Sequence, residues 1–195
     1  AAADGARYVV YLGGTDNFAI GAARQTVWNL VPTYQGRPKR SQLELLTNTL
    51  AQDRNPNATI MLVGFSQGGM DAQNIAEKTD LSITTVVTYG APIIYRVPAK
   101  YEAIHIAALG DPLPGFSHPD HLANHAEAGK LFLAKPNTYD GYYFWRVVNP
   151  FWPMGIHGDR NTYRNVGAQF DRSPGYAQVK SSIATFTGAV VKTSR

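Results

Sequence analysis

Apolar and polar positions fall in blocks along this chain. Short runs of β-branched and aliphatic side chains end on glycine, and longer stretches with apolar residues three or four apart come between them. Tyr8-Val-Val-Tyr-Leu12 runs into Gly13-Gly14, residues 59–63 into Gly64, Ile83-Thr-Thr-Val-Val-Thr-Tyr89 into Gly90, and Ile104-His-Ile-Ala-Ala-Leu109 into Gly110. Runs of this length, closed by turn residues, fit strands buried on both faces. Residues 30–34 read as a further short strand. Helical spacing marks residues 21–30. It also marks residues 41–52, where Leu43, Leu46 and Leu50 share a stripe and Ser41 is placed to cap. Residues 67–79, with Ala72, Ile75 and Ala76 on one face, and residues 118–134 also read as helical. A closing helix follows Ser173-Pro-Gly-Tyr176, with Tyr176, Val179, Ile183, Phe186 and Val190 three or four apart.

Strands alternating with helices predict an α/β fold with a mostly parallel sheet, right-handed crossovers and helices on both faces. Ligands bind such sheets at the carboxyl ends of the strands, where Thr15, Ser66, Gly90 and Asp111 all fall. From Leu113 to about Met154 the alternation is expected to stop. That stretch holds Tyr139-Asp-Gly-Tyr-Tyr-Phe-Trp145 and Pro150-Phe-Trp-Pro-Met154, so residues 113–156 read as a lid or cap insertion, or as a second small core. A chain of 195 residues fits a single domain, 1–195, with a substantial core.

The net charge of +4 is modest, and only Arg37-Pro-Lys39-Arg40 clusters. A scattered excess of that size suits transient contact with an anionic membrane or envelope surface and argues against nucleic acid. The chain has no cysteine, which excludes disulfides, a thiol nucleophile and thiolate-bound zinc. A secreted or cell-envelope location is compatible with a start, Ala1-Ala-Ala-Asp-Gly, that is not itself a signal peptide, because leaders are removed on processing.

The candidate chemistry centres on Gly64-Phe-Ser66-Gln-Gly68, a G-x-S-x-G turn between an apolar run and a helix-compatible segment. This is the sequence form of a nucleophile elbow, in which a strained serine presents its hydroxyl at a sharp strand-to-helix turn. Glycines on either side remove the Cβ atoms that would collide across the bend, and the following helix aims backbone N–H groups at the turn. A serine needs a histidine to take its proton, and that histidine needs a carboxylate. Asp111, just past a later strand, is placed to be the acid. His157, in Gly155-Ile-His-Gly-Asp159 ahead of the closing helix, is the favoured base, and His121 is its rival. His121 and His125 have helical i, i+4 spacing, but residue 122 is leucine where a zinc protease carries glutamate, so neither a metal nor a cofactor is expected.

Gly64-Phe-Ser-Gln-Gly68 resembles the elbow of cutinases and of the related serine-hydrolase domains of PE-PPE proteins and phage mycolyl-esterases (lysin B). Leu12-Gly-Gly-Thr15 is similar to the first-strand loop of that group, Gly110-Asp111 to the pair that carries its acid, and Thr88-Tyr-Gly-Ala-Pro92 to fungal-type lipases. The matches cover roughly residues 7 to 112. The resemblance implies a three-layer α/β-hydrolase fold, cutinase-like and minimal apart from the aromatic insertion. It also implies a triad of Ser66, Asp111 and a later histidine, with Gln67 N–H and Thr15 in the oxyanion hole. The implied activity is a serine esterase or lipase acting on esters of hydrophobic acyl chains. Two departures stand out: cutinases typically carry disulfides, and the Asp111-to-His157 spacer is long for them. Gly-Phe-Ser-Gln-Gly-Gly also occurs in acyl-protein thioesterases. A thioesterase or peptidase on the same scaffold, or a non-catalytic binding module, therefore stays open as an alternative.

Overall fold

The computed structural model describes residues 5–14, 31–53, 58–136 and 153–186. Five strands form one all-parallel sheet in the order β1-β2-β3-β4-β5: β1 Arg7–Leu12, β2 Thr59–Phe65, β3 Ile83–Tyr89, β4 Glu102–Ala108 and β5 Leu131–Ala134. After a helical turn at 31–34, the described helices are α1 Arg40–Asp53, α2 Gln67–Lys78, α3 Pro119–Glu127, α4 Pro153–Gly158, α5 Arg160–Arg172 and α6 Ala177–Ala184, with a 3₁₀ turn at Leu113–Phe116. This is an α/β fold with helices against both faces of the sheet.

Strand order equals chain order, so the described strands contain no point at which the winding reverses. Right-handed crossovers that advance one strand at a time place their helices on a single face. That face holds Leu46 of α1 and Ala72, Ile75 and Ala76 of α2, packed on Ile60, Leu62, Val86 and Ala103. The opposite face is closed from the carboxyl end of the chain. Tyr163, Val166 and Phe170 of α5, Val179 of α6, and Phe186 pack on Met61, Val87, Ile104 and Ile106. The period-2 alternation of strand side chains divides the two cores, with Leu62 facing one and Met61 the other.

Three expectations need correction. Residues 118–134 are not one helix: α3 ends at Glu127, Gly129 takes φ 64°, and the chain turns into β5. The α/β alternation therefore runs on past Leu113 instead of stopping there. A left-handed glycine beyond the last helical turn is an ordinary stop, and Leu131-Phe-Leu-Ala134 is too short for periodicity to separate strand from helix. Residues 31–34 are helical rather than extended, with Gln35 N donating to the Val31 carbonyl; Pro32 in a first turn costs no hydrogen bond. Helix α5 is additional, capped by Asp159, whose carboxylate accepts from Asn161 N at 3.0 Å. The expected helix over 21–30, the aromatic stretch 139–152 and Thr15 lie outside the described residues.

Candidate active site

Ser66 follows β2 directly and holds φ 56°, ψ −122°. Only Gly adopts this region without strain, so the surroundings must impose it. Ser66 N donates to the Tyr89 carbonyl of β3 at 2.9 Å, and the Ser66 carbonyl accepts from Gly69 N at 3.0 Å as α2 begins. The glycines are required by contact. A Cβ on Gly64 would lie 2.2 Å from the Gly68 carbonyl oxygen, and one on Gly68 would lie 2.1 Å from that of Leu12. A Cβ on Gly14 would meet Ser66 Cβ at 3.1 Å. The loop after β1 thus abuts the serine, one residue before Thr15.

Asp111 follows β4, and its two carboxylate oxygens have separate partners. Oδ1 accepts from Leu113 N at 2.9 Å, an Asx turn that fixes the loop. Oδ2 lies 2.8 Å from His157 Nδ1 and also accepts from the Tyr163 hydroxyl. His157 sits in the last turn of α4, 1% exposed, and its ring stacks on Phe65 at 4.8 Å and 15°. Phe65 belongs to the face of β2 that the C-terminal helices cover, which explains how a histidine so far along the chain arrives against the residue that precedes Ser66. With Nδ1 directed at Asp111, His157 Nε2 is buried and has no hydrogen-bond partner among the described residues. Burial and the Asp111 carboxylate push the Tyr163 hydroxyl well above the usual phenol range, so it is a donor at any working pH.

Ser66 also lines an apolar groove of about 350 Å³ with Val31, Tyr34, Met70, Pro92, Leu113 and Phe116, at the small end of ligand pockets, which run about 300–1,000 Å³. Buried amides of α2 pin its walls. Asn74 Nδ2 donates to the Thr33 carbonyl at 2.8 Å, Gln73 Nε2 to that of Pro92 at 2.9 Å, and Gln73 Oε1 accepts from Ile94 N at 2.9 Å. The Tyr34 hydroxyl donates to the Phe116 carbonyl at 2.9 Å, tying two walls together.

Gln67 is the first residue of α2, directly after the serine, and its side-chain amide lies 3.4 Å from Thr33 Oγ1. His121 is elsewhere. It lines a polar cleft with Arg96, His118 and Asp120, its ring lies 5.1 Å from that of His118 at a 42° tilt, and it forms no hydrogen bond to Asp111. His105 and His125 meet edge to face at 4.8 Å inside the sheet–α3 core. Burial, and then the neighbouring His125, lower the pKa of His105 to about 3. Among the described residues no cluster of three or more histidine or carboxylate groups is arranged to hold a metal ion, and no helix is long and apolar enough to cross a membrane. The site residue that sequence reasoning missed is Tyr163. Its helix was legible from Tyr163, Val166 and Phe170 at helical spacing behind an Asp cap, but a contact with Asp111 has no sequence signature. No protein-family model, curated protein or solved structure matches this chain.

Proposed function

We propose that this chain is a serine esterase, an α/β hydrolase of minimal, cutinase-like type, that cleaves carboxylic esters of hydrophobic acyl chains. The supporting observation is the convergence of three features at the carboxyl end of β2. These are a serine in strained geometry facing an apolar groove, a buried His–Asp pair whose imidazole stacks on the adjacent Phe65, and a histidine nitrogen with no hydrogen-bond partner among the described residues. In this reading Ser66 Oγ attacks the ester carbonyl and His157 Nε2 takes its proton. The imidazolium, held by Asp111, then protonates the leaving alcohol, and water activated by the same nitrogen cleaves the acyl-enzyme. No hydrogen bond yet joins Nε2 to Ser66; such bonds are often long before substrate binds. The Gln67 N–H, at the start of α2, and Thr15 are the oxyanion donors in this scheme, and losing one such donor typically costs about 3–4 kcal/mol of barrier. The groove would take the acyl chain.

A fluorophosphonate probe tests the reading. Wild type is expected to label and to hydrolyse p-nitrophenyl esters. Ser66→Ala and His157→Ala should abolish both, and His121→Ala should keep both. An unlabelled wild type would favour a binding module, and loss confined to His121→Ala would refute the assigned base. Parallel assays on thioesters and peptides separate the alternative chemistries on this scaffold.

A further inference from the structure

Tyr163 comes from α5, the helix after His157, and its hydroxyl donates to the same Asp111 oxygen that faces His157 Nδ1. The approach is provided for on the opposite side. Gly90, at the end of β3, has φ +58°, and a Cβ there would lie 2.6 Å from the Tyr163 hydroxyl oxygen and 3.1 Å from Asp111 Oδ2. The Tyr163 ring is fixed edge-on by Phe65 at 5.4 Å and by Tyr89 at 6.4 Å. Phe65 is also the ring on which His157 stacks, so one aromatic side chain sets the position of both donors. We propose that Tyr163 is a positioning residue that acts through Asp111 to hold and tune His157, with Gly90 as the gap that admits it. The inference rests on reading Ser66, His157 and Asp111 as a triad.

Two donors on one carboxylate oxygen compete for its negative charge. With Tyr163 in place, Asp111 stabilises the His157 imidazolium less than it would alone. Among the described residues Tyr163 is the ionisable group in contact with the pair; Tyr89, Arg164 and Asp171 share the adjoining cleft with Phe65 and Tyr163, and Asp159 follows His157 by two residues. Replacing the hydroxyl alone should therefore raise the pKa of His157, and strengthening the donor should lower it. A purely structural tyrosine would do neither in that order.

The test is an NMR titration of the His157 ring nitrogens in the full chain, for wild type, Tyr163→Phe and a chain carrying 3-fluorotyrosine at position 163. Tyr163→Phe keeps the ring contacts and is expected to raise the His157 pKa by about 0.5–1; the fluorinated ring, a stronger donor of nearly the same shape, should lower it. In an active enzyme the acidic limb of kcat/KM moves with it, so Tyr163→Phe loses about 3–10-fold below that limb and less above it. Titrations unchanged within about 0.2, or shifted the same way in both variants, overturn the proposal, as does a limb that stays put while the titration moves. A wild type without hydrolytic activity counts against the esterase reading alone, because the titration needs no turnover.

Discussion

Ser66 is held in a conformation that its own side chain disfavours, and the atoms that hold it are backbone atoms of three strands. The glycines around it divide by what a methyl group would meet. At Gly68 the obstacle is the Leu12 carbonyl at 2.1 Å, which cannot move without unpairing β1. At Gly167, inside α5, it is the Tyr89 ring edge at 3.5 Å, an ordinary contact. Gly68→Ala should therefore lower the melting temperature and remove probe labelling, as overpacking costs typically about 1–3 kcal/mol and often more against backbone. Gly167→Ala should instead stabilise by about 0.5–1 kcal/mol through helix propensity. Chemical denaturation of the two variants checks both signs. The elbow was legible because each residue in Gly64-Phe-Ser-Gln-Gly68 answers a local demand of the bend. Asp111 was legible as the candidate acid from its place just past a strand end; that one oxygen makes the turn while the other faces His157 depends on contacts between distant parts of the chain.

At the scale of elements, β4 and α3 share a histidine pair that serves the core and stands apart from Asp111 and His157. His105, 3% exposed, is bound through Nδ1 to Thr88 Oγ1 at 2.7 Å, and His125 Nδ1 donates to the His121 carbonyl at 2.8 Å. Burial lowers the pKa of both in the folded chain, that of His105 to about 3. From the unfolded value near 6.5 down to that folded value, the unfolded chain binds more protons, so stability falls as pH falls through this window. Between pH 7.5 and 5.5 the expected loss is about 1–3 kcal/mol, measured by urea unfolding at each pH. Thr88→Val combined with His105→Leu removes both partners of the buried bond and should cut that loss by about 1.4 kcal/mol. The same region is where sequence reasoning failed. The apolar run 131–134 could continue α3 or pair with β4, and the chain takes the second course because Gly129 ends the helix and Ala134 enters the C-terminal core.

For the molecule as a whole, the sequential sheet separates two tasks by face. The crossover face carries α2, whose buried amides tie down the groove walls, while the face covered by α5 and α6 brings His157 and Tyr163 to Asp111. Ser66 stands where the faces meet, at the end of β2. The parallel α/β architecture followed from alternating strand and helix patterns. The division of labour between faces did not, since strand order is set by packing that no local pattern reports. The central claim is an acyl-enzyme on Ser66. The most direct measurement is acid quenching of a p-nitrophenyl ester reaction in its first turnover, followed by peptide mass analysis. The account predicts a burst of about one p-nitrophenol per chain and the acyl mass on the peptide containing Ser66. Hydrolysis with no trapped adduct, or an adduct on another residue, would contradict it.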